Sequence, residues 1–234
     1  MNDFINTSTR ELEVCCGSLE SVFEAVAGGA HRIELCSALS LDGLTPSLGL
    51  FQVLRSSIPN LRIHVLIRPR EGDFVYNSAE LKVMLRDIEK FVDDGADAVV
   101  AGALTMGGRI NVEATRQLRA AAGDVPFTFH RAFDVVADQG MALEQLIDLG
   151  ITRVLTSGGE PTAQQGIPRL KSLVAKADGR ISILPGGGVN RHNARLILDE
   201  TGAHEIHGSC SLMLPSGIKK TTAEEVAAVL ASIG

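Results

Sequence analysis

Asp94-Gly95-Ala96-Asp97-Ala98-Val99-Val100-Ala101 closes one amphipathic run and opens an apolar one. Gly95 has the backbone freedom with which helices end. Asp97 to Ala101 then reads as a short buried strand. The same connector returns as Gly28-Gly29-Ala30, Leu149-Gly150-Ile151 and Thr201-Gly202-Ala203. Each copy stops a helical pattern and feeds a strand. Reuse of one connector points to a closed, quasi-repetitive ring rather than an open doubly wound sheet.

Working outward, strands are predicted at Glu11–Cys15, Arg32–Cys36, Arg62–Ile67, Asp97–Ala101, Pro126–His130, Arg153–Thr156, Ile181–Leu184 and His204–His207. Helices fill the gaps. Ser18 caps Ser21–Ala27, Pro46 opens a helix to about Ser56, and Ser78 caps one carrying Leu81, Leu85, Ile88 and Val92 at helical spacing. Further helices follow Asn111, span Met141–Leu149 and Thr162–Ala177, run Arg191–Glu200 behind an Asn190 cap, and end with Thr222–Ile233. Eight such units in 234 residues predict an α/β fold, a single (β/α)8 TIM barrel over residues 11–234 behind an N-terminal extension over 1–10.

A net charge of −6 and a pI near 5.5 argue against a nucleic-acid binder. No apolar run is long enough to span a membrane, and residues 1–10 lack a signal-peptide core. A cytoplasmic protein is expected, with Cys15, Cys16, Cys36 and Cys210 as thiols. No nucleotide cofactor is predicted.

Alternate strand residues face opposite sides. One set is apolar: Leu12, Val14, Ile33, Leu35, Ile63, Val65, Ile67, Phe127, Phe129, Ile181 and Ile183. It suits packing under helices. The other set contains Glu13, Cys15, Glu34, Cys36, His64, Arg68, Thr128, His130, Arg153, Ser157, Ser182, Glu205, His207 and Ser209, and would point into the lumen. Buried carboxylates need partners. Glu13, Glu34, Arg68 and Arg153 are expected to pair, either as an internal ion network or as part of a binding site.

Barrel active sites sit at the C-terminal strand ends. There Glu34, His130 and Asp134 are candidate proton-transfer groups, together with His207. Arg68 and Arg131 are candidates for stabilising negative charge. Arg70, Arg131, Ser157, Gly158, Gly186, Gly187, Gly188 and Ser209 are candidate anion-binding residues. Pro185-Gly186-Gly187-Gly188-Val189-Asn190 sits between a strand and a helix, where backbone N–H groups can approach an anion. Arg131 and Asp134 also suit a structural turn, and Arg70 a solvated loop charge. Cys15 and Cys36 have matching parity on neighbouring strands, and soft thiolates select Cu(I).

Leu12-Glu13-Val14-Cys15, Arg32-Ile33-Glu34-Leu35-Cys36, Gly43-Leu44-Thr45-Pro46-Ser47, Ile67-Arg68-Pro69-Arg70, Phe129-His130-Arg131-Ala132-Phe133-Asp134, Leu155-Thr156-Ser157-Gly158 and Pro185-Gly186-Gly187-Gly188-Val189 together resemble the CutC family of copper homeostasis proteins. The resemblance implies a cytoplasmic (β/α)8 barrel that forms homo-oligomers and binds copper, with Cys15 and Cys36 at the family's thiol positions. The residues themselves point to a second reading. An arginine-, histidine- and glycine-rich mouth suits an enzyme acting by acid/base chemistry on a small phosphorylated or carboxylated metabolite. The expected ligand is a copper ion or a small anion.

Overall fold

Period-two strands with one apolar face can bury that face under helices while the other lines an interior. The computed structural model describes residues 9–213 and 219–234 and shows this arrangement. Strands β1 (Glu11–Cys16), β2 (Arg32–Leu35), β3 (Ile63–Leu66), β4 (Ala98–Ala101), β5 (Phe127–Phe129), β6 (Arg153–Thr156), β7 (Ser182–Pro185) and β8 (Glu205–Gly208) run parallel in the order β7-β6-β5-β4-β3-β2-β1-β8. A parallel bridge between Gly186 and His207 joins the two ends of that order. The sheet is thus the expected TIM barrel, and its seam closes at the glycine turn. Residues 1–8 of the expected extension lie outside the described residues, while Arg10 pairs with Asp199 at 2.5 Å.

Helices α1 (Leu19–Ala27), α2 (Leu48–Ser57), α3 (Ser78–Asp93), α4 (Val112–Ala121), α5 (Gln139–Asp148), α6 (Ile167–Ala177), α7 (Ala194–Thr201) and α8 (Ala223–Ile233) follow the strands. The apolar strand set and the inner faces of these helices form one buried cluster, including Val14, Ile33, Phe51, Met84, Leu118, Phe129 and Leu146. Each such side chain fully buried stabilises the fold by about 1.5–3 kcal/mol. A second, small cluster of Cys36, Leu66 and Val100 lies apart from it, on strand positions of lumen parity. No described helix is long and apolar enough to cross a membrane.

Several helix starts differ from expectation. Asn77, not Ser78, caps α3 and forms a reciprocal capping box with Glu80. Ser47, following Pro46, caps α2. The segment before α6 is a turn rather than helix from Thr162, because Gly166 lies hard against the Ser157 carbonyl; a Cβ there would stand 1.8 Å from that oxygen. Asn190 starts a turn, its carbonyl accepting from Asn193 and Ala194, and α7 begins three residues later than expected, at Ala194. Short 3-10 turns at Leu39–Leu41 and Arg131–Val135, and a hairpin of β9 (Ser211–Met213) and β10 (Lys219–Thr221), are additions the sequence pattern did not announce.

Candidate functional site

The lumen is built around Arg32, whose residue pairs in register with Glu13 on β1. Its guanidinium reaches Glu11 Oε2 at 2.6 Å, Glu13 Oε2 at 2.6 Å and the Glu205 carboxylate. Glu205 also binds Arg153 Nε at 2.8 Å and accepts from the Ser182 hydroxyl. Burial pushes the Glu205 carboxyl up, but Arg153 and Arg32 overcome it and hold it at about 2. Burial acts likewise on Glu13, and Arg32, His207 and His64 bring it well below the usual carboxylate range. His64 Nδ1 lies 2.9 Å from Glu13 Oε2 without hydrogen-bond alignment. The expected ion network therefore exists and includes Arg153, with Arg32 in the place of Arg68. Arg68 sits too high at the end of β3 to reach the acids. Arg32 shares the parity of Glu34 and Cys36, the signal by which its role was readable.

Above this network one imidazole stands between two carboxyls. His207 Nδ1 lies 2.8 Å from Glu13 Oε1, and His207 Nε2 lies 3.7 Å from Glu34 Oε2. Glu34 is placed by the β1–β2 register, which sets it beside Cys15. Burial lifts the Glu34 carboxyl to about 7, with the His207 charge opposing and Glu13 adding to the rise. Burial lowers His207, but its hydrogen bonds to Cys15 and Glu13 and the Glu34 charge carry it well above an ordinary histidine. The arrangement can hold or move a proton between His207 and Glu34.

Gly186 adjoins this pair, since a Cβ there would stand 3.2 Å from His207 Cβ. Gly187 and Gly188 have φ of +107° and +70°, the region that favours glycine. The Gly187 and Gly188 carbonyls accept from Ala163 N and Asn193 Nδ2, at 2.9 and 3.0 Å. Among the described residues no protein acceptor takes the Gly188 N–H. Asp134 brackets the neighbouring turn: it accepts from Thr156 Oγ1 at 2.5 Å, Ser157 N at 2.9 Å and Gly159 N at 3.2 Å, and pairs with Arg131 Nε at 2.8 Å. Arg131 Nη2 donates to Ser157 Oγ at 3.1 Å, and the guanidinium carbon would lie 3.6 Å from a Cβ on Gly187. Gly158 takes φ +76° and donates to Thr156 Oγ1. Asp134 thus positions Arg131 and the Ser157-Gly158 turn against Gly187.

Other candidates lie apart. Arg70 spends its donors on its own loop, on Glu80, Asp73, and the carbonyls of Glu71, Asp73 and Val75. Ser209 bonds Ser211 Oγ and accepts from Thr221 at the hairpin base. Arg68 donates to the carbonyls of Leu41, Gly43 and Gly72. His130 Nδ1 accepts from Ala132 N at 3.2 Å and so caps the 3-10 turn; burial and the Arg68 charge press its ring down to about 3. All four cysteines are free and buried. Cys36 Sγ donates to the Cys16 carbonyl at 3.4 Å, and burial raises its thiol. Among the described residues no group of three or more His, Cys, Asp and Glu is arranged to hold a metal ion.

Residues 10–212 match the family model described as the CutC family. A protein of Bacteroides fragilis named family protein CutC is 49% identical over 207 residues, covering 88% of this chain and 82% of its own length. The human protein named copper homeostasis protein cutC homolog is 48% identical over 208 residues, covering 89% and 76%. The crystal structure of a CutC protein from Streptococcus agalactiae superposes with a TM-score of 0.82 at 37% identity, covering 86% of this chain and 99% of that one.

Proposed function

The chain belongs to the CutC family, and we propose that its Glu34–His207 pair is an acid/base centre for a small phosphorylated or carboxylated metabolite bound at the barrel mouth. The supporting observation is the single imidazole between two carboxyls. Glu13, charged and held by Arg32, anchors Nδ1, while Nε2 faces Glu34. Among the described residues Glu34 has no closer cation. A carboxyl poised near neutrality suits a general base. In the proposed step the Glu34 carboxylate takes a proton from a carbon beside a carbonyl. The C–H electron pair becomes a C=C bond and the carbonyl π pair moves onto oxygen, giving an enolate that His207 stabilises by a hydrogen bond. Return of the proton elsewhere on the enolate completes an isomerisation. The anionic end of the metabolite sits at Gly187 and Gly188 beside Arg131, where barrels commonly hold phosphate. All six lysines, Lys82, Lys90, Lys171, Lys176, Lys219 and Lys220, lie on helices or the hairpin with exposed or half-buried side chains, so no lysine is placed to form an imine in the lumen.

The test is incubation in D2O with a panel of small phosphorylated aldehydes, ketones and 2-oxo acids, followed by proton NMR. Exchange of a C–H for C–D is expected with one member, and a fall of about 100-fold in Glu34→Gln. A protein that binds phosphate yet exchanges no panel member would overturn the acid/base step.

A second reading is Cu(I) handling by Cys15 and Cys36. Two buried thiols of lumen parity on adjacent strands, and the printed name of the human relative, favour it. Titration against a chromophoric Cu(I) chelator should show tight binding that disappears in the Cys15→Ala/Cys36→Ala double variant. A cytoplasmic setting is supported by the four free thiols. A homo-oligomer is supported by the exposed Leu19 and Phe23 of α1 and Leu212 and Met213 of β9, and light scattering checks it.

A further inference from the structure

At the ends of β3 and β5, three buried polar atoms have no hydrogen-bond partner: Arg68 Nε, Tyr76 Oη and His130 Nε2. Arg68 and His130 are 5% and 4% exposed. The His130 ring is neutral and its Nδ1 accepts from Ala132, so the proton is on Nε2 and that N–H is a donor. Arg68 has committed three of its five N–H groups to carbonyls, two from Nη1 and one from Nη2, which leaves Nε–H and one Nη2–H. Tyr76 Oη stands near Arg68 without hydrogen-bond geometry. Buried donors without acceptors are destabilising.

One ring covers them. Arg68 Cζ lies 5.2 Å from the Phe74 ring centre, and the His130 and Phe74 ring centres are 4.9 Å apart. The loop carrying Phe74 is pinned along its backbone. The Phe74 carbonyl takes Leu104 N at 2.8 Å, and Arg70 holds the carbonyls of Glu71, Asp73 and Val75. The half-buried Phe74 side chain packs at the edge of the core and is the part of this loop that no hydrogen bond holds.

We infer that Phe74 is an aromatic plug over a carboxylate subsite, in which Arg68 Nε and His130 Nε2 donate to the carboxylate once the ring swings aside. This rests on the mouth's taking a small anionic metabolite, and adds that the metabolite carries a carboxylate at the end remote from Gly187. The end of β5 is two strands from that of β7, about 10 Å, and a three-carbon phosphorylated acid reaches across it, while Arg68 has to reach in from the end of β3, two strands further round.

Side-chain 15N NMR of histidine, with backbone amide shifts, tests the subsite using inorganic phosphate, acetate and 3-phosphoglycerate as probes. The His130 Nε2 resonance should move with 3-phosphoglycerate and stay still with phosphate. 3-Phosphoglycerate should bind at least tenfold tighter than phosphate, and His130→Asn, which keeps an acceptor for Ala132 N but is too short to place a donor where Nε2 stands, should remove that advantage. Phe74→Ala should bind acetate at His130 more tightly than the parent. If His130 moves with no probe in either the parent or Phe74→Ala, the subsite is refuted, even where phosphate shifts Gly187 and Gly188. If acetate moves His130 while phosphate leaves the glycines unmoved, the subsite stands and the anion cradle fails. A shift of His130 that survives in Phe74→Ala with no gain in affinity overturns the plug.

Discussion

Replacing Arg32 by Met should destabilise the barrel at neutral pH and do so less in mild acid. Arg32 faces three carboxylates, but their losses are unequal. Glu205 keeps Arg153 and the Ser182 hydroxyl. Glu11 is 31% exposed on its side chain and keeps Arg62 at 3.0 Å, a surface pair of little weight. Glu13 is 1% exposed and is left with two imidazoles in place of a fixed cation. One orphaned buried carboxylate, not three, sets the loss. Removing one partner of a buried pair costs about 3–5 kcal/mol, and the remaining histidines place this case near about 3 kcal/mol. In the parent, the Glu13 carboxyl lies below its unfolded value, so its contribution is present above about pH 4.3 and fades as pH falls through the folded value. In the variant, burial acts without Arg32 and the folded value rises above the unfolded one. The variant therefore gains stability as pH falls, because the native state binds the extra proton. Urea unfolding of both proteins at pH 7.5 and pH 5 reads this, and the gap should narrow by at least about 1 kcal/mol. A loss under about 1 kcal/mol at pH 7.5, or one unchanged at pH 5, would refute the view that Arg32 neutralises Glu13.

Gly102→Ala would place a Cβ 2.8 Å from His130 Nδ1 and 2.9 Å from Phe129 Cζ, so it should cost about 1–3 kcal/mol in thermal or urea unfolding and shift the His130 ring resonances. Gly166→Ala would meet the Ser157 carbonyl at 1.8 Å; far less soluble protein is expected, and a normal yield would contradict the close contact of α6 with the β6 turn. Asn77→Ala removes the α3 capping box and should lower stability by about 1 kcal/mol, with Asn77→Ser restoring most of it. Asp134→Asn should weaken phosphate binding at Gly187, since it loosens the pair that aims Arg131, while leaving far-UV circular dichroism unchanged.

Much of this molecule follows from local spacing. Gly29, Gly95, Gly150 and Gly202 all take positive φ at helix ends, as the repeated connector requires. The period-two pattern assigned Leu12 and Val14 outward and Glu13 inward, because successive side chains on a strand cannot share a face. The inward parity of Glu34 and His207 was readable for the same reason, and so was the anomaly of so many ionisable groups inside a barrel. Parity, however, says which face a residue takes and nothing of its height. Arg68 and Arg32 are both inward arginines, but the stagger between strands sets Arg32 level with Glu13 and lifts Arg68 to the rim, among carbonyls. Asp134 became a bracket for the β6 turn because that turn folds back within reach of the 3-10 segment after β5. Steric rules that act within a few residues already set the ring of strands and the groups inside it. Which acid meets which base depends on strand stagger and on closure at Gly186 and His207, which couple residues far apart along the chain.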